Sequence, residues 1–127
     1  MKTKEHGIGI FIKKSHKSLF IELHMVGKLT HNDYMLFLPI LKKALKEAKK
    51  LDINMLVDLR QFRGWELRAA WDDMMFGFKY KNVFNKIAVI GSKKYEEIAI
   101  NMFVPLMKGK LKLFHNNKKA LKWLYDK

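Results

Sequence analysis

The chain has 127 residues, of which 49% are apolar and 30% are charged, and this length and balance suit one globular domain over residues 1–127. It contains no cysteine, which excludes disulfides, thiolate nucleophiles and cysteine-based zinc sites. The net charge of +14 would suit a polyanionic partner, but almost all of it comes from lysine rather than from arginine, the residue favoured for bidentate phosphate contacts. A solvated lysine surface is therefore the simpler interpretation.

The N-terminal residues do not have the pattern of a secretory signal. The short apolar run that follows them is flanked by lysines, and it has neither a long apolar core nor a small-residue cleavage site. Elsewhere no apolar stretch approaches the roughly 20 residues that a membrane-spanning helix requires. We therefore expect a cytoplasmic protein.

The first two elements are predicted strands. Isoleucines at positions 8, 10 and 12 alternate with other residues, which is typical of a strand. The segment 19–26 is rich in β-forming residues, and only the polar link 13–17 separates the two segments. The two strands are therefore predicted to form an antiparallel hairpin.

A helix is predicted to follow from Thr30. Thr30 suits the N-cap, and Asp33 suits both a capping box and the positive end of the helix dipole. Apolar side chains then recur at helical spacing on one face: Tyr34, Phe37, Leu38, Leu41, Leu45 and Ala48. Pro39 lies within this stretch and is expected to kink the helix.

Strands and helices continue to alternate to the end of the chain. The predicted elements are, in order, a strand over 53–59, a helix from Glu66, a strand over 84–90, a helix over 94–104, an edge strand over 111–114 and a helix from Asn116 or Asn117. Continuous apolar runs indicate that the first two of these strands are buried on both faces. The order ββαβαβαβα predicts a single-domain α/β fold with a mostly parallel sheet and right-handed crossovers.

The segment 60–65, between the third strand and the next helix, is a candidate binding site. Ligands of open α/β sheets bind at the carboxyl ends of the strands, and loops at such ends carry function more often than the scaffold does. The segment offers two guanidinium groups, two aromatic rings and a glycine: Arg60, Phe62, Arg63, Gly64 and Trp65. The structural alternative is that Phe62 and Trp65 only pack against the start of the helix.

The helix after this loop is more apolar than one buried face requires. Its predicted core stripe is Leu67, Ala70, Trp71, Met74 and Phe78, and a second apolar set is Met75, Phe76 and Tyr80. The surplus is explained by burial on two sides, by a dimer surface or by a pocket for a hydrophobic ligand. Trp71, Met75 and Phe76 therefore join the candidate binding residues. The acidic residues of the helix argue against its lying on a membrane.

No pattern indicates an enzyme or a cofactor. Asp72 and Asp73 are neighbours on a helix and point about 100° apart, so they do not form a proton-sharing pair; an ion pair between Asp72 and Arg68 is expected instead. The histidines lack metal-ligand spacing, and no nucleophile motif is present. No catalytic residue, metal ligand or cofactor is therefore predicted. Without a helix-turn-helix pattern or arginine enrichment, nucleic acid is a disfavoured partner.

Several short motifs occur in a specific order along nearly the whole chain. They are Gly27-Lys28-Leu29-Thr30 with Asp33-Tyr34 and Pro39, Asp58-Leu59 with Phe62 and Gly64, Ala70-Trp71-Asp72-Asp73 with Phe76-Gly77, Ile87-Ala88-Val89-Ile90-Gly91, and Phe114 with Ala120 and Trp123-Leu124. Together they resemble the SpoIIAA-like family of small bacterial STAS-type domains. The resemblance implies a sheet built of βα units, in agreement with the predicted order of elements.

Two functions are expected, the first from the residues of the loop and helix and the second from the resemblance. The first is a non-enzymatic binding or regulatory module that uses the loop after the third strand and the start of the next helix. The related anti-sigma factor antagonists carry a phosphorylatable Ser there, whereas the segment 60–65 has no Ser or Thr. The STAS/SEC14-like members imply the alternative, a carrier of a hydrophobic or lipid ligand that docks on anionic membranes. The expected partners are a protein, a small hydrophobic ligand or a second copy of the chain.

Overall fold

The computed structural model describes residues 5–80, 82–91 and 110–126. Along the chain these residues form strands β1 (Gly7–Lys14) and β2 (Ser18–Leu29), helix α1 (His31–Glu47), strands β3 (Asp52–Asp58) and β4 (Phe62–Trp65), helix α2 (Leu67–Tyr80), strands β5 (Lys86–Ile90) and β6 (Leu111–Phe114), and helix α3 (Asn117–Tyr125). The predicted α/β class is confirmed. The predicted helix over 94–104 lies outside the described residues.

The strands form one six-stranded sheet that is mostly parallel. Its order is β1-β2-β3-β5-β6, and β4 pairs separately with β2. β1 and β2 are antiparallel, which confirms the predicted hairpin, whereas β2, β3, β5 and β6 are parallel to their neighbours. β6 is the last strand of this order, as predicted for an edge strand.

Strand β4 corrects the prediction of an irregular loop over 60–65. It runs parallel to the last residues of β2, which extend beyond the pairing of β2 with β3. The Gly27 N–H donates to the Gln61 carbonyl at 2.8 Å just before the pairing begins. The chain that has just left β3 therefore satisfies backbone groups on β2 that would otherwise lack a strand partner.

Helix α1 follows the predicted pattern. Thr30 and Asp33 form the capping box: the Asp33 N–H donates to the Thr30 hydroxyl at 3.2 Å, and the Thr30 N–H donates to the Asp33 carboxylate at 2.8 Å. The helix continues through Pro39. The predicted inward side chains are buried, with Leu38 only partly so: Tyr34, Phe37, Leu38, Leu41, Leu45 and Ala48.

The two faces of the sheet bury separate cores. The larger core lies under α1 and α2. The smaller core lies under α3, which contributes Ala120 and Leu124. Met55 and Leu56 are adjacent in β3, and they belong to the larger and the smaller core respectively. This confirms that the strand is buried on both faces.

Helix α2 turns the opposite side toward the sheet from the one predicted. Leu67 and Trp71, expected in the core, are 91% and 59% exposed. The inward side chains are instead Ala69, Asp73, Phe76 and Tyr80. This orientation is tolerated because Asp73 finds a hydrogen-bonding partner on α1, so its carboxylate is not buried unpaired. The predicted stripe members Met74 and Phe78 have side chains outside the described part.

Candidate functional site

An apolar cavity of about 90 Å³ lies between the larger core and the inner side of α2. The strands supply most of its wall, α1 supplies Phe37 and Leu41, and α2 supplies Asp73 and Phe76. The described lining residues are Leu23, Met25, Phe37, Leu41, Met55, Val57, Leu59, Trp65, Asp73, Phe76, Phe84, Ile87, Val89 and Leu111. Within this set Asp73 is the ionisable side chain, so the described part of the cavity wall has one charged position in an apolar surface.

Three elements meet at a polar corner beside the cavity. The Trp65 indole N–H, from β4, donates to the Tyr34 hydroxyl on α1 at 2.9 Å. The Tyr34 hydroxyl in turn hydrogen-bonds to the carboxylate of Asp73 on α2. Because the indole has no acceptor and the carboxylate no donor when ionised, the order of donation runs from Trp65 through Tyr34 to Asp73.

Burial controls the charge at this corner. Burial raises the pKa of Asp73 to about 7, the hydrogen bond from Tyr34 opposes the rise, and the nearby Asp72 carboxylate adds to it. Burial and then the Asp73 charge hold the pKa of Tyr34 well above its usual value, so Tyr34 remains a neutral donor. Asp73 can therefore gain or lose a proton near neutral pH, which an ordinary carboxyl does not do.

Asp72 lies close to this corner, but its own partner is on another part of α1. Its carboxylate pairs with the Nδ1 atom of His31, at the start of α1. The sequence predicts an ion pair between Asp72 and Arg68, and this prediction is wrong. The partner is instead supplied by the neighbouring helix, and the pair joins the N-terminal end of α1 to the middle of α2.

The segment 60–65 has its own internal contacts. The Arg60 guanidinium donates to both carboxylate oxygens of Asp58, at 3.0 and 2.8 Å, and the Arg60 backbone N–H adds a third hydrogen bond at 3.0 Å. Burial opposes ionisation of Asp58, but these hydrogen bonds outweigh it and lower its pKa below the usual value. Gly64 has a φ of +113°, a backbone conformation that residues other than glycine rarely adopt.

The predicted site residues divide into two groups. Phe62, Trp65 and Phe76 lie inside: Phe62 is buried against Trp65, with ring centroids 4.6 Å apart, and Trp65 and Phe76 line the cavity. The others lie outside or serve the backbone. Arg60 is paired with Asp58, Gly64 gives strand β4 a positive φ, and the side chains of Arg63, Trp71 and Met75 are exposed.

Sequence reasoning missed the two residues that complete the polar corner. The spacing predicts Tyr34 as part of the core stripe of α1, and it predicts no partner for Asp73. One signal was available: an acid inside an otherwise apolar helix needs a nearby donor, and the sequence offers a Tyr in the first turn of the neighbouring helix. The partnership itself is not readable from spacing.

The described residues show no metal-binding group of three or more His, Asp or Glu side chains. They also contain no helix long and apolar enough to cross a membrane. Chemically, the corner can accept hydrogen bonds and hold one proton.

Fold and site together define a STAS-type α/β domain with an apolar cavity beside its third strand. A family model described as SpoIIAA-like matches residues 20–125, and the chain belongs to this family, as the motifs predict. It is similar to the crystal structure of an uncharacterized protein from the DUF3478 family with a SpoIIAA-like fold from Shewanella loihica PV-4. That similarity reaches 36% identity, 98% coverage of each chain and a TM-score of 0.83. Among curated proteins no match to the chain was found.

Proposed function

We propose that the chain is a non-enzymatic binding module that takes a small apolar ligand into the cavity between the sheet and α2. The observation that carries the proposal is the cavity lining, which in the described residues is apolar except at the corner of Trp65 and Asp73. Protein sites for small molecules are typically concave and mostly apolar, with a few placed polar groups that orient the ligand. Membership of the SpoIIAA-like family agrees with a binding role.

The size of the cavity limits the ligand. Sites for drug-sized molecules measure roughly 300–1,000 Å³, and this cavity measures about 90 Å³. A short aliphatic group fits it directly, and a larger ligand requires α2 to move away from the sheet. The wall that would move includes Asp73 and Phe76 of α2, next to Trp65 of β4.

The proposal is tested by titrating protein labelled with ¹³C at its methionine methyl groups with 1-pentanol. Met25 and Met55 line the cavity, whereas Met35 is exposed on α1. We expect saturable shifts of the Met25 and Met55 methyl signals and none for Met35. Shifts confined to Met35, or none at all up to the solubility of the alcohol, would contradict the proposal.

Two valine variants serve as a matched pair for this titration. Val89 lines the cavity, and Val89→Ile adds one methylene to its wall. Val83 is 39% exposed, and Val83→Ile adds the same group at the surface. We expect several-fold weaker binding of 1-pentanol by Val89→Ile and unchanged binding by Val83→Ile. Equal affinities for the two variants would place the alcohol outside the cavity.

A second candidate function is a carrier of a hydrophobic or lipid ligand that docks on anionic membranes. It is favoured by the outward side of α1, where Met35, Leu36 and Ile40 are 57%, 67% and 51% exposed. The lysines of the same helix, Lys42, Lys43 and Lys46, are also exposed. Exposed apolar side chains beside lysines are typical of helices that lie on membranes, and each basic residue adds about 1 kcal/mol of attraction to anionic lipid.

The carrier is tested by sedimentation with phosphatidylserine-containing vesicles. Binding should weaken as salt increases and should be lost in Leu36→Glu, whereas Leu67→Glu on α2 provides the control. Absence of binding at low salt would exclude the carrier without affecting the small-ligand module.

The remaining expectations stay predictions. These are a protein partner, a second copy of the chain on the exposed side of α2, the cytoplasmic location, and the absence of catalysis and of nucleic-acid binding. The predicted contact residues for a protein partner or a second copy are Arg63, Trp71 and Met75, whose side chains face outward. Their test is capture of a partner that depends on these side chains while the fold is kept.

A further inference from the structure

We infer that the ligand of the cavity carries a hydrogen-bond-donating head, an ammonium or a hydroxyl group, and that molecules with a carboxylate head are excluded. This inference rests on the proposed function and narrows it to a class of ligand. It follows from two observations, the sign of the charge at the cavity wall and the direction of the hydrogen bonds at the polar corner.

The charge at the wall is negative. Asp73 is the ionisable residue among the described lining residues, and Asp72, its neighbour, adds a second carboxylate close by. His31, at the start of α1, is already paired with Asp72. A ligand carboxylate at this wall would meet repulsion in a medium of low dielectric constant, where interactions between charges are strong.

The hydrogen bonds at the corner end in an acceptor. The Trp65 N–H is used by Tyr34, and the Tyr34 hydroxyl faces Asp73. An ionised carboxylate has about four acceptor positions, so Asp73 retains acceptor capacity toward the cavity. A ligand that donates completes the corner. A ligand that can only accept would find both donors of the corner engaged.

The experiment compares three probes that share a five-carbon chain: pentylammonium, 1-pentanol and pentanoate. Each is titrated at pH 8 into protein labelled at its methionine methyl groups, and the Met25 and Met55 signals report occupancy of the cavity. We expect pentylammonium to bind at least roughly tenfold more tightly than pentanoate, since a hydrogen bond to a charged group contributes about 1.5–3 kcal/mol. Pentanoate affinity equal to that of either other probe would overturn the inference.

Asp73→Asn removes the charge and keeps the shape of the side chain. We expect this variant to lose roughly tenfold in affinity for pentylammonium, to lose less in affinity for 1-pentanol, whose hydroxyl still finds an amide acceptor, and to gain affinity for pentanoate. Asp52→Asn removes an equal charge from an exposed position that does not line the cavity, and it should bind all three probes like the parent protein. Unchanged selectivity in Asp73→Asn would overturn the inference.

A second measurement requires no variant. The groups that face Asp73 are Tyr34 of α1, Trp65 of β4 and Asp72 of α2, which is paired with His31. An alkylammonium keeps its charge between pH 5.5 and 8, as a lysine side chain does. The preference for pentylammonium over 1-pentanol should therefore shrink at pH 5.5, where Asp73 is protonated. A preference independent of pH would mean that another group selects the ligand.

The outcomes separate this inference from the proposed function. If 1-pentanol shifts the Met25 and Met55 signals but the three probes bind alike, the cavity binds ligands and the inference about their head group is wrong. If none of the probes shifts these signals, both the proposed function and the inference fail.

Discussion

Helices α1 and α2 contact each other on the same face of the sheet, but they meet that face in different ways. α1 turns its apolar stripe inward and keeps its buried acid, Asp33, in the capping box at its start. α2 turns Asp73 inward and leaves Leu67 and Trp71 exposed. A helix that only completes a core would be built like α1. The orientation of α2 leaves apolar side chains exposed and brings a carboxylate to the wall of the cavity, which is the feature on which the proposed function depends.

The comparison is tested most strongly by one leucine from each helix. Leu41 of α1 is fully buried, whereas Leu67 of α2 is 91% exposed. We expect Leu41→Ala to lower the free energy of unfolding by about 3–5 kcal/mol, as buried leucines do, and Leu67→Ala to change it by no more than about 0.5 kcal/mol. Urea denaturation measures both values. A comparable loss in Leu67→Ala would show that the outer side of α2 is covered.

The inward acids of the two helices, Asp33 of α1 and Asp73 of α2, should respond in opposite directions to the loss of their charge. Asp33 accepts hydrogen bonds from the Thr30 N–H and from His6, each at 2.8 Å, so Asp33→Asn should destabilise the protein by about 1–2 kcal/mol. Asp73 is ionised at pH 8 against its burial, so Asp73→Asn should stabilise it by roughly 2–4 kcal/mol. Thermal unfolding of both variants at pH 8 provides the measurement, and equal signs would refute the contrast.

The effect of Asp73 has a defined pH window. Its pKa rises from 3.8 to about 7 on folding, so between these values the folded chain keeps a proton that the unfolded chain has lost. The contribution of Asp73 to the free energy of unfolding therefore falls as pH rises from about 4 to about 7. The stabilisation of Asp73→Asn relative to the parent should be small at pH 4 and fully developed at pH 8. If the difference in stability between Asp73→Asn and the parent protein does not vary with pH, the Asp73 carboxylate is exposed to water in the folded protein.

The features that could be predicted from the sequence divide in the same way as the two helices do, into those set by local spacing and those set by distant contacts. The hairpin, the capping box at Thr30 and the stripe of α1 depend on local spacing, and these predictions are confirmed. β4 was missed because its partner is the distant end of β2. The orientation of α2 was missed because both of its sides are apolar enough to be buried. The choice between them depends on where Asp73 finds a donor, and that donor, Tyr34, lies on another helix.

The smallest expected change in the free energy of unfolding, and the most specific, comes from a substitution at the polar corner. Trp65→Phe keeps an aromatic ring beside Phe62 but removes the N–H that donates to Tyr34. We expect a loss of about 1 kcal/mol in the free energy of unfolding, the usual contribution of one hydrogen bond. In a double-mutant cycle with Tyr34→Phe, the coupling energy should be roughly 0.5–1.5 kcal/mol.

The matched control for this cycle pairs Trp65→Phe with Leu45→Ala, which also lies on the inner side of α1 but is not part of the cavity lining. That pair should be additive within about 0.5 kcal/mol. Coupling to Tyr34 without coupling to Leu45 would mean that α1 acts on the cavity through its first turn, where Tyr34 meets Trp65 and Asp73, rather than through general packing. If both cycles are additive, the hydrogen bond from Trp65 does not hold Tyr34 in place as the donor to Asp73. The inward position of Asp73 would then lack its explanation, and so would the contrast between the two helices.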